Sequence, residues 1–180
     1  MLPTILRATT LARTRLFCIE ELHLRFASGV ERVYERLPAV GRPAVMIAAV
    51  NDRDELLLIR EYAAGFHEDQ LTLPKGAAEA GETLEEAANR ELKEEVGFGA
   101  RRIERVKRLT LSPGHMGFTI NVMLARDLYP ERLAADEPEL PQVFPWPIAR
   151  LEELVRRDDF AEARAIAALT IVSSILRGEA

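Results

Sequence analysis

Cysteine occurs once in these 180 residues, at Cys18, so an internal disulfide and a cysteine-rich zinc centre are both excluded. A lone thiol of this kind reads as a small buried apolar residue in a reducing compartment. No apolar run is long enough to cross a bilayer. The opening "MLPTILRATTLARTRLF" lacks a continuous apolar stretch followed by a small-residue cleavage site, so it does not read as a signal peptide. The expected compartment is the cytoplasm. Net charge is -5, from 24 Lys and Arg against 29 Asp and Glu, and no basic tract is read along the chain. The phosphate-backbone attraction behind extended nucleic-acid binding is therefore not expected. Cations can still bring a nucleotide to a mildly acidic protein.

The hydrophobic class makes up 48% of the chain, enough for one cored domain with a small appendage. There are no repeats and no low-complexity segments. "RLFCIEELHLRF" and "VERVYERL" read as two strands joined by a tight turn at Ser28-Gly29. "AVMIAAV" (Ala44 to Val50) is a continuous apolar strand, "NDRD" a turn and "ELLLIREY" the next strand. Tyr62 to Gln70 is expected to be a loop, "LTLP" a short extended piece, and Leu84 to Val96 a helix. Strands near "RIERVKRLTL" and "FTINVMLARDL" follow, then a polar loop through "YPERLAADEPELPQ". "PIARLEELVRR" and "FAEARAIAALTIVSSILRG" have helical periodicity. This order predicts an α+β or α/β fold, a mixed sheet between helices, with a small N-terminal antiparallel sheet. The expected division is residues 1–42 and 43–180.

The densest information lies in "GAAEAGETLEEAANRELKEEVGF", Gly76 to Phe98. Thr83 and Glu86 have the spacing of a capping box, and Gly97 stands where a helix C′ glycine belongs. Between them Glu91, Glu94 and Glu95 are related by i, i+3 and i+4, so an α-helix projects all three to one side. Like charges so placed cost a few tenths of a kcal/mol per pair even when exposed. A hard divalent cation with oxygen ligands offsets that cost. Ala87 and Ala88 leave room on the same side, and Leu92 and Val96 anchor the helix in a core. Arg90 is expected to point away from the centre of the triplet and to pair with a carboxylate such as Glu82. The alternative is a solvated Glu-rich helix with Lys75, Arg90 and Lys93 as its partners.

The same stretch is similar to the Nudix box, G-x5-E-x7-R-E-U-x-E-E-x-G-U with U bulky and apolar. Gly76, Glu82, Arg90, Glu91, Leu92, Glu94, Glu95, Gly97 and Phe98 fill its defined positions. Outside the box, "VYERL", "AVMIAAV", "LLLIREYAAG", "DLYPERL", "DEPE" and "LPQV" resemble the branch of the Nudix superfamily that hydrolyses ADP compounds. The resemblance implies a Nudix fold, with the box as loop-helix-loop, and a homodimer built partly by the N-terminal strands. It also implies metal-dependent hydrolysis of a pyrophosphate bond in ADP-ribose, NADH or short diadenosine polyphosphates, releasing AMP. By the family pattern Glu91 and Glu95 are the leading Mg²⁺ ligands, with Mn²⁺ also accepted. Glu94 is then a ligand or a bridge to a second metal, and a backbone carbonyl near Lys75 or Gly76 completes the shell. Gly76, Glu82, Arg90 and Gly97 are structural in this pattern.

A general base is expected on a loop after the box. "AADEPELPQ" offers Asp136, Glu137 and Glu139, of which Glu139 is favoured over Glu137. Arg60 and Lys75 are candidates for phosphate and Tyr62 for adenine stacking, against the alternative of a plain strand end and a surface lysine. Pro113 stands where ADP-ribose enzymes of the family carry a proline. The "HMGF" that follows it lacks the acidic residue many of them have there, which leaves a wider set of ADP compounds open. A dedicated ADP-ribose or sugar-nucleotide pyrophosphatase is the nearest alternative. A non-catalytic nucleotide sensor would be expected to lose box glutamates, and this chain keeps them.

Overall fold

In the computed structural model, which describes residues 1–39, 41–134 and 139–178, the chain divides into two compact units. One comprises residues 1–41 with 110–119, the other residues 42–109 with 120–180.

The first unit is a three-stranded antiparallel sheet in the order β1 (Thr4–Arg13), β2 (Cys18–Arg25), β3 (Glu31–Arg36). The β2–β3 turn contains Ser28 and Gly29, closed by the Phe26 N–H donating to the Val30 carbonyl. Strand β1 is an addition to the two-strand reading: every residue of it is exposed, so no buried face leaves a periodic pattern. Cys18 is buried at the start of β2, with a free thiol.

The second unit has two sheets. One runs in the order β7 (Lys75–Ala77), β4 (Ala44–Ala49), β9 (Thr119–Pro130), β8 (Phe98–Thr110). The other runs β10 (Gln142–Pro147), β5 (Glu55–Ala63), β6 (Glu68–Thr72). β4 pairs with β9 in parallel, and the other registered pairs are antiparallel. Three helices complete the unit: α1 (Leu84–Glu91), α2 (Leu151–Leu154) and α3 (Ala163–Leu176).

Alternation along the strands supplies two cores. Met46, Ala48 and Val50 join Leu56, Leu58 and Leu124 against α2 and α3, through Leu154, Phe160, Leu169 and Val172. Val45, Ile47 and Ala49 join Leu57, Ile59 and Met123 against the box helix, through Ala87, Ala88, Leu92 and Val96. The uninterrupted apolar run of β4 follows from this: both of its faces are covered.

Several sequence expectations shift. Glu68 to Gln70 belong to β6, so the loop expected from Tyr62 to Gln70 shrinks to the turn around Gly65. β7 and β10 are additions, and β10 ends in "PWP", which sequence patterning reads as loop. A basic stretch is present after all, against the expectation of none. Strand β8, at one end of its sheet, exposes Arg101, Arg102, Arg105, Lys107 and Arg108. Charged side chains on an edge oppose strand-to-strand association.

Candidate active site

The box begins as a turn and enters α1 through a complete capping box. The Thr83 N–H donates to Glu86 Oε2 at 2.8 Å, and the Glu86 N–H returns to Thr83 Oγ1 at 3.2 Å. After Glu91 the helix widens into a single π-helical turn, Leu92–Val96, closed by the Gly97 N–H on the Leu92 carbonyl. Such turns recur at functional sites because they rotate side chains out of α-helical phase. Glu91 and Glu95 point into the protein, 8% and 3% exposed, while Glu94 is half-buried. The three therefore do not form the equivalent row that i, i+3, i+4 spacing predicts. Gly97 follows in the left-handed region at φ 85°. The Arg132 guanidinium lies against it and donates to the Glu94 and Val96 carbonyls, covering the open end of the helix.

Arg90 does not turn away from the triplet. Its five N–H donors are all used. Nε and Nη2 hold both Glu82 oxygens at 2.9 and 3.2 Å, Nη2 also reaches the Ala77 carbonyl, and Nη1 donates to Glu91 at 2.9 Å and Glu94 at 2.8 Å. Glu82 also accepts from the Glu79 N–H at 2.6 Å. One guanidinium thus fixes the loop, the strand β7 and two box carboxylates.

Two features set the carboxylates up for a cation. Gly76 sits directly against the Glu91 carboxylate, where a Cβ would collide with it and force Glu91 to move. Glu95 Oε2 accepts the Lys75 N–H at 3.0 Å. Burial pushes the Glu95 carboxyl up to about 8, opposed by that Lys75 N–H and reinforced by the neighbouring charges of Glu91 and Glu61. The Lys75 charge opposes that shift only in part, so the buried carboxyl favours its neutral form until a further positive charge comes near. Among the described residues no three acidic, histidine or cysteine side chains converge as a closed cage. A hard divalent cation can be held by one or two carboxylates, with water completing its shell. Two adjacent buried glutamates therefore fit a hard divalent ion.

Glu95 forms one wall of a cleft of about 610 Å³, with Arg60, Glu61, Tyr62, Asp69, Glu139 and the segment Leu140 to Gln142. Of the loop carboxylates, Glu139 is in the cleft wall, and Asp136 and Glu137 lie outside the described residues. Tyr62 is 58% exposed at the rim, its hydroxyl 2.8 Å from His67 Nδ1. Arg60 donates to Asp159 at 3.0 Å and lies over the Phe144 ring. The Lys75 ammonium is already occupied, in contact with Glu61 and 4.0 Å from Glu162. Pro113 is exposed, in the segment Thr110–Thr119 that clusters with the N-terminal sheet. Sequence reading did not single out Arg132, Phe144, Asp159 or Glu162. Their roles arise from contacts across 36 to 99 positions, for which spacing offers no sign.

Comparison with known proteins agrees with this geometry. A model of the NUDIX domain matches residues 40–169, and one of the NudE-type Nudix hydrolase N-terminal domain matches residues 3–36. The chain is 49% identical to the ADP compounds hydrolase NudE of Escherichia coli (strain K12), covering 98% of this chain and 95% of that protein. It is 25% identical to the ADP-ribose pyrophosphatase of Bacillus subtilis (strain 168), over 91% of each chain. A solved structure, "Crystal structure of ADP compounds hydrolase", superimposes with a TM-score of 0.93 at 47% identity, covering 99% of this chain and 96% of the other. With the box helix, its capped entry and its buried glutamates in place, the chain belongs to the Nudix hydrolase family.

Proposed function

We propose that this protein hydrolyses the pyrophosphate bond of ADP-linked compounds (ADP-ribose, NADH and short diadenosine polyphosphates), releasing AMP and a second phosphate-bearing product. The observation that carries the reading is the buried Glu91–Glu95 pair beside a cleft with a cation, an exposed aromatic ring and a loop carboxylate in its wall. The similarity to the E. coli ADP compounds hydrolase supports the choice of substrate class. Nudix hydrolases generally require a divalent metal. Here Glu91 and Glu95 would hold Mg²⁺, or Mn²⁺, with Glu94 available once it leaves Arg90. An ion held there would supply positive charge against the diphosphate and a lowered pKa for a water molecule.

The chain's own groups do the rest. Arg60 binds phosphate oxygens and Tyr62 stacks on adenine. Glu139 accepts the proton of the attacking water as the new P–O bond forms and the bridging P–O bond breaks. Lys75 acts through its backbone N–H on Glu95 rather than as a free phosphate-binding ammonium. Pro113 bears on the choice among substrates only through the family resemblance. The protein works in the cytoplasm as a homodimer. Support for the dimer comes from the apolar side chains exposed on the N-terminal sheet, Ile5, Leu6, Leu11, Val33 and Tyr34, which a second copy would cover.

A narrower activity on ADP-ribose is the second reading, favoured by the similarity to the ADP-ribose pyrophosphatases of B. subtilis and Mycobacterium tuberculosis. Chromatography of products from ADP-ribose, NADH and diadenosine di- and triphosphate, with Mg²⁺ or chelator and with Glu95→Gln alongside, tests both. AMP that depends on metal and on Glu95 is the expected result. Turnover of ADP-ribose alone selects the narrower reading, and binding without turnover rejects both.

A further inference from the structure

Arg60 lies at the cleft end of β5, about one-third exposed. Its guanidinium makes one hydrogen bond among the described residues, from Nη2 to Asp159 Oδ2 at 3.0 Å, and its Cζ lies 5.2 Å from the centre of the Phe144 ring. Most of its five donors remain available. Lys75 offers no such donor surface, because Glu61 and Glu162 already surround its ammonium.

Asp159 comes from the connection between α2 and α3, 99 residues further along the chain. It is held from several directions. Arg157 donates to both of its oxygens at 2.8 Å, and the Asp159 carbonyl accepts the Leu71 N–H of β6 at 2.9 Å. Its neighbour Phe160 is 1% exposed in the core, and Arg157 itself rests on the Trp146 ring. Arg157, ahead of Arg60, keeps the carboxyl below the usual carboxylate range. Two arginines share one carboxylate, so the group retains positive charge at the cleft wall.

As a source of stability, a partly exposed ion pair of this kind contributes little. Orientation is the larger effect. A free arginine loses rotamer entropy when it grips a ligand, and fixing it before binding removes that cost from substrate capture. We infer that Asp159 is a positioning residue for substrate binding: from the α2–α3 connection it holds Arg60 over Phe144, with the remaining guanidinium donors presented to the phosphate oxygens of a nucleoside-diphosphate compound. This inference rests on the reading of Arg60 as a phosphate contact.

The test is a double-mutant cycle in steady-state kinetics on ADP-ribose with Mg²⁺, using Asp159→Asn, Arg60→Ala and the pair, with thermal melts of each. Asp159→Asn is expected to raise KM about 5- to 10-fold with kcat within about twofold, and to add nothing to the KM of Arg60→Ala. Asp159→Ser is run in parallel so that a folding defect in one replacement does not decide the result. An unchanged KM in the Asp159 variants, or an equal rise in both backgrounds, overturns the inference. If Arg60→Ala itself leaves KM unchanged, the phosphate-contact reading fails and the inference with it. The metal-dependent hydrolysis is judged separately by Glu95→Gln.

Discussion

Gly76 and the Glu91 carboxylate are packed so closely that a Cβ on the glycine would occupy the carboxylate's own position. The obstructing atoms are the end of a flexible side chain, so the chain can fold around the intrusion by turning Glu91 aside. Gly76→Ala is therefore expected to melt within a few degrees of the wild type while losing about 10- to 100-fold in kcat, the cost of a misplaced reacting group. Equal losses of activity and of folded protein would contradict this account.

Glu95 ties stability to pH. Its folded value of about 8 lies above the ordinary 4.5, so the folded state binds the proton more tightly than the unfolded chain does. The resulting stabilisation is complete below about 4.5 and is lost as pH rises through about 8. In chelator, the wild type should thus be more stable at pH 5 than at pH 9, by a few kcal/mol at most. Glu95→Gln should flatten that part of the profile. Metal favours the ionised form, so added Mg²⁺ should stabilise the protein more at pH 8 than at pH 6, with proton release on binding. Melting curves across pH, with and without metal, decide it.

Arg90 is expected to be a stability residue before it is a kinetic one. Arg90→Ala removes every partner described for its guanidinium and leaves Glu82, Glu91 and the Ala77 carbonyl partly buried without it. Breaking such a network costs about 3 kcal/mol or more. Arg90→Lys keeps the charge without the planar fork and should recover only part of it. Urea denaturation of the two variants gives the ranking.

The exposed apolar surface of the N-terminal sheet yields a prediction about assembly. Val33→Asp and Leu11→Asp, each placed on an exposed position of that sheet, are expected to shift the protein from dimer to monomer. The dimer dissociation constant should rise at least about tenfold per substitution. Light scattering across a dilution series reads the change. A wild type that is monomeric at all concentrations would remove the homodimer from the proposal.

How much of this was readable beforehand follows from the range of the contacts involved. The capping box of Thr83 and Glu86, the glycine after Val96 and the apolar run of β4 are local patterns, and each appears where the sequence puts it. β1 was not readable because it buries nothing, and β10 because prolines at 145 and 147 argue against a strand unless its partner is known. The π-helical turn that separates Glu94 from Glu91 and Glu95 changes the phase of a helix whose sequence carries no mark of the change. Spacing suggests a carboxylate such as Glu82 for Arg90 but shows neither the length of its reach nor the use of its second terminal nitrogen. Arg132 and Asp159 act across the fold, and nothing around them in the chain marks them out.

The parallel pairing of β4 with β9 has a consequence for synthesis. Ala44 aligns with Ile120, so the strand that completes β4 follows roughly 75 residues later. At about 5–20 residues per second, the ribosome takes about 4–15 s to supply it. Throughout that interval "AVMIAAV" and the apolar side of the box helix emerge without their full cover. The topology thus leaves this apolar surface without its partner strand for much of synthesis, a condition that favours aggregation over folding until β9 arrives.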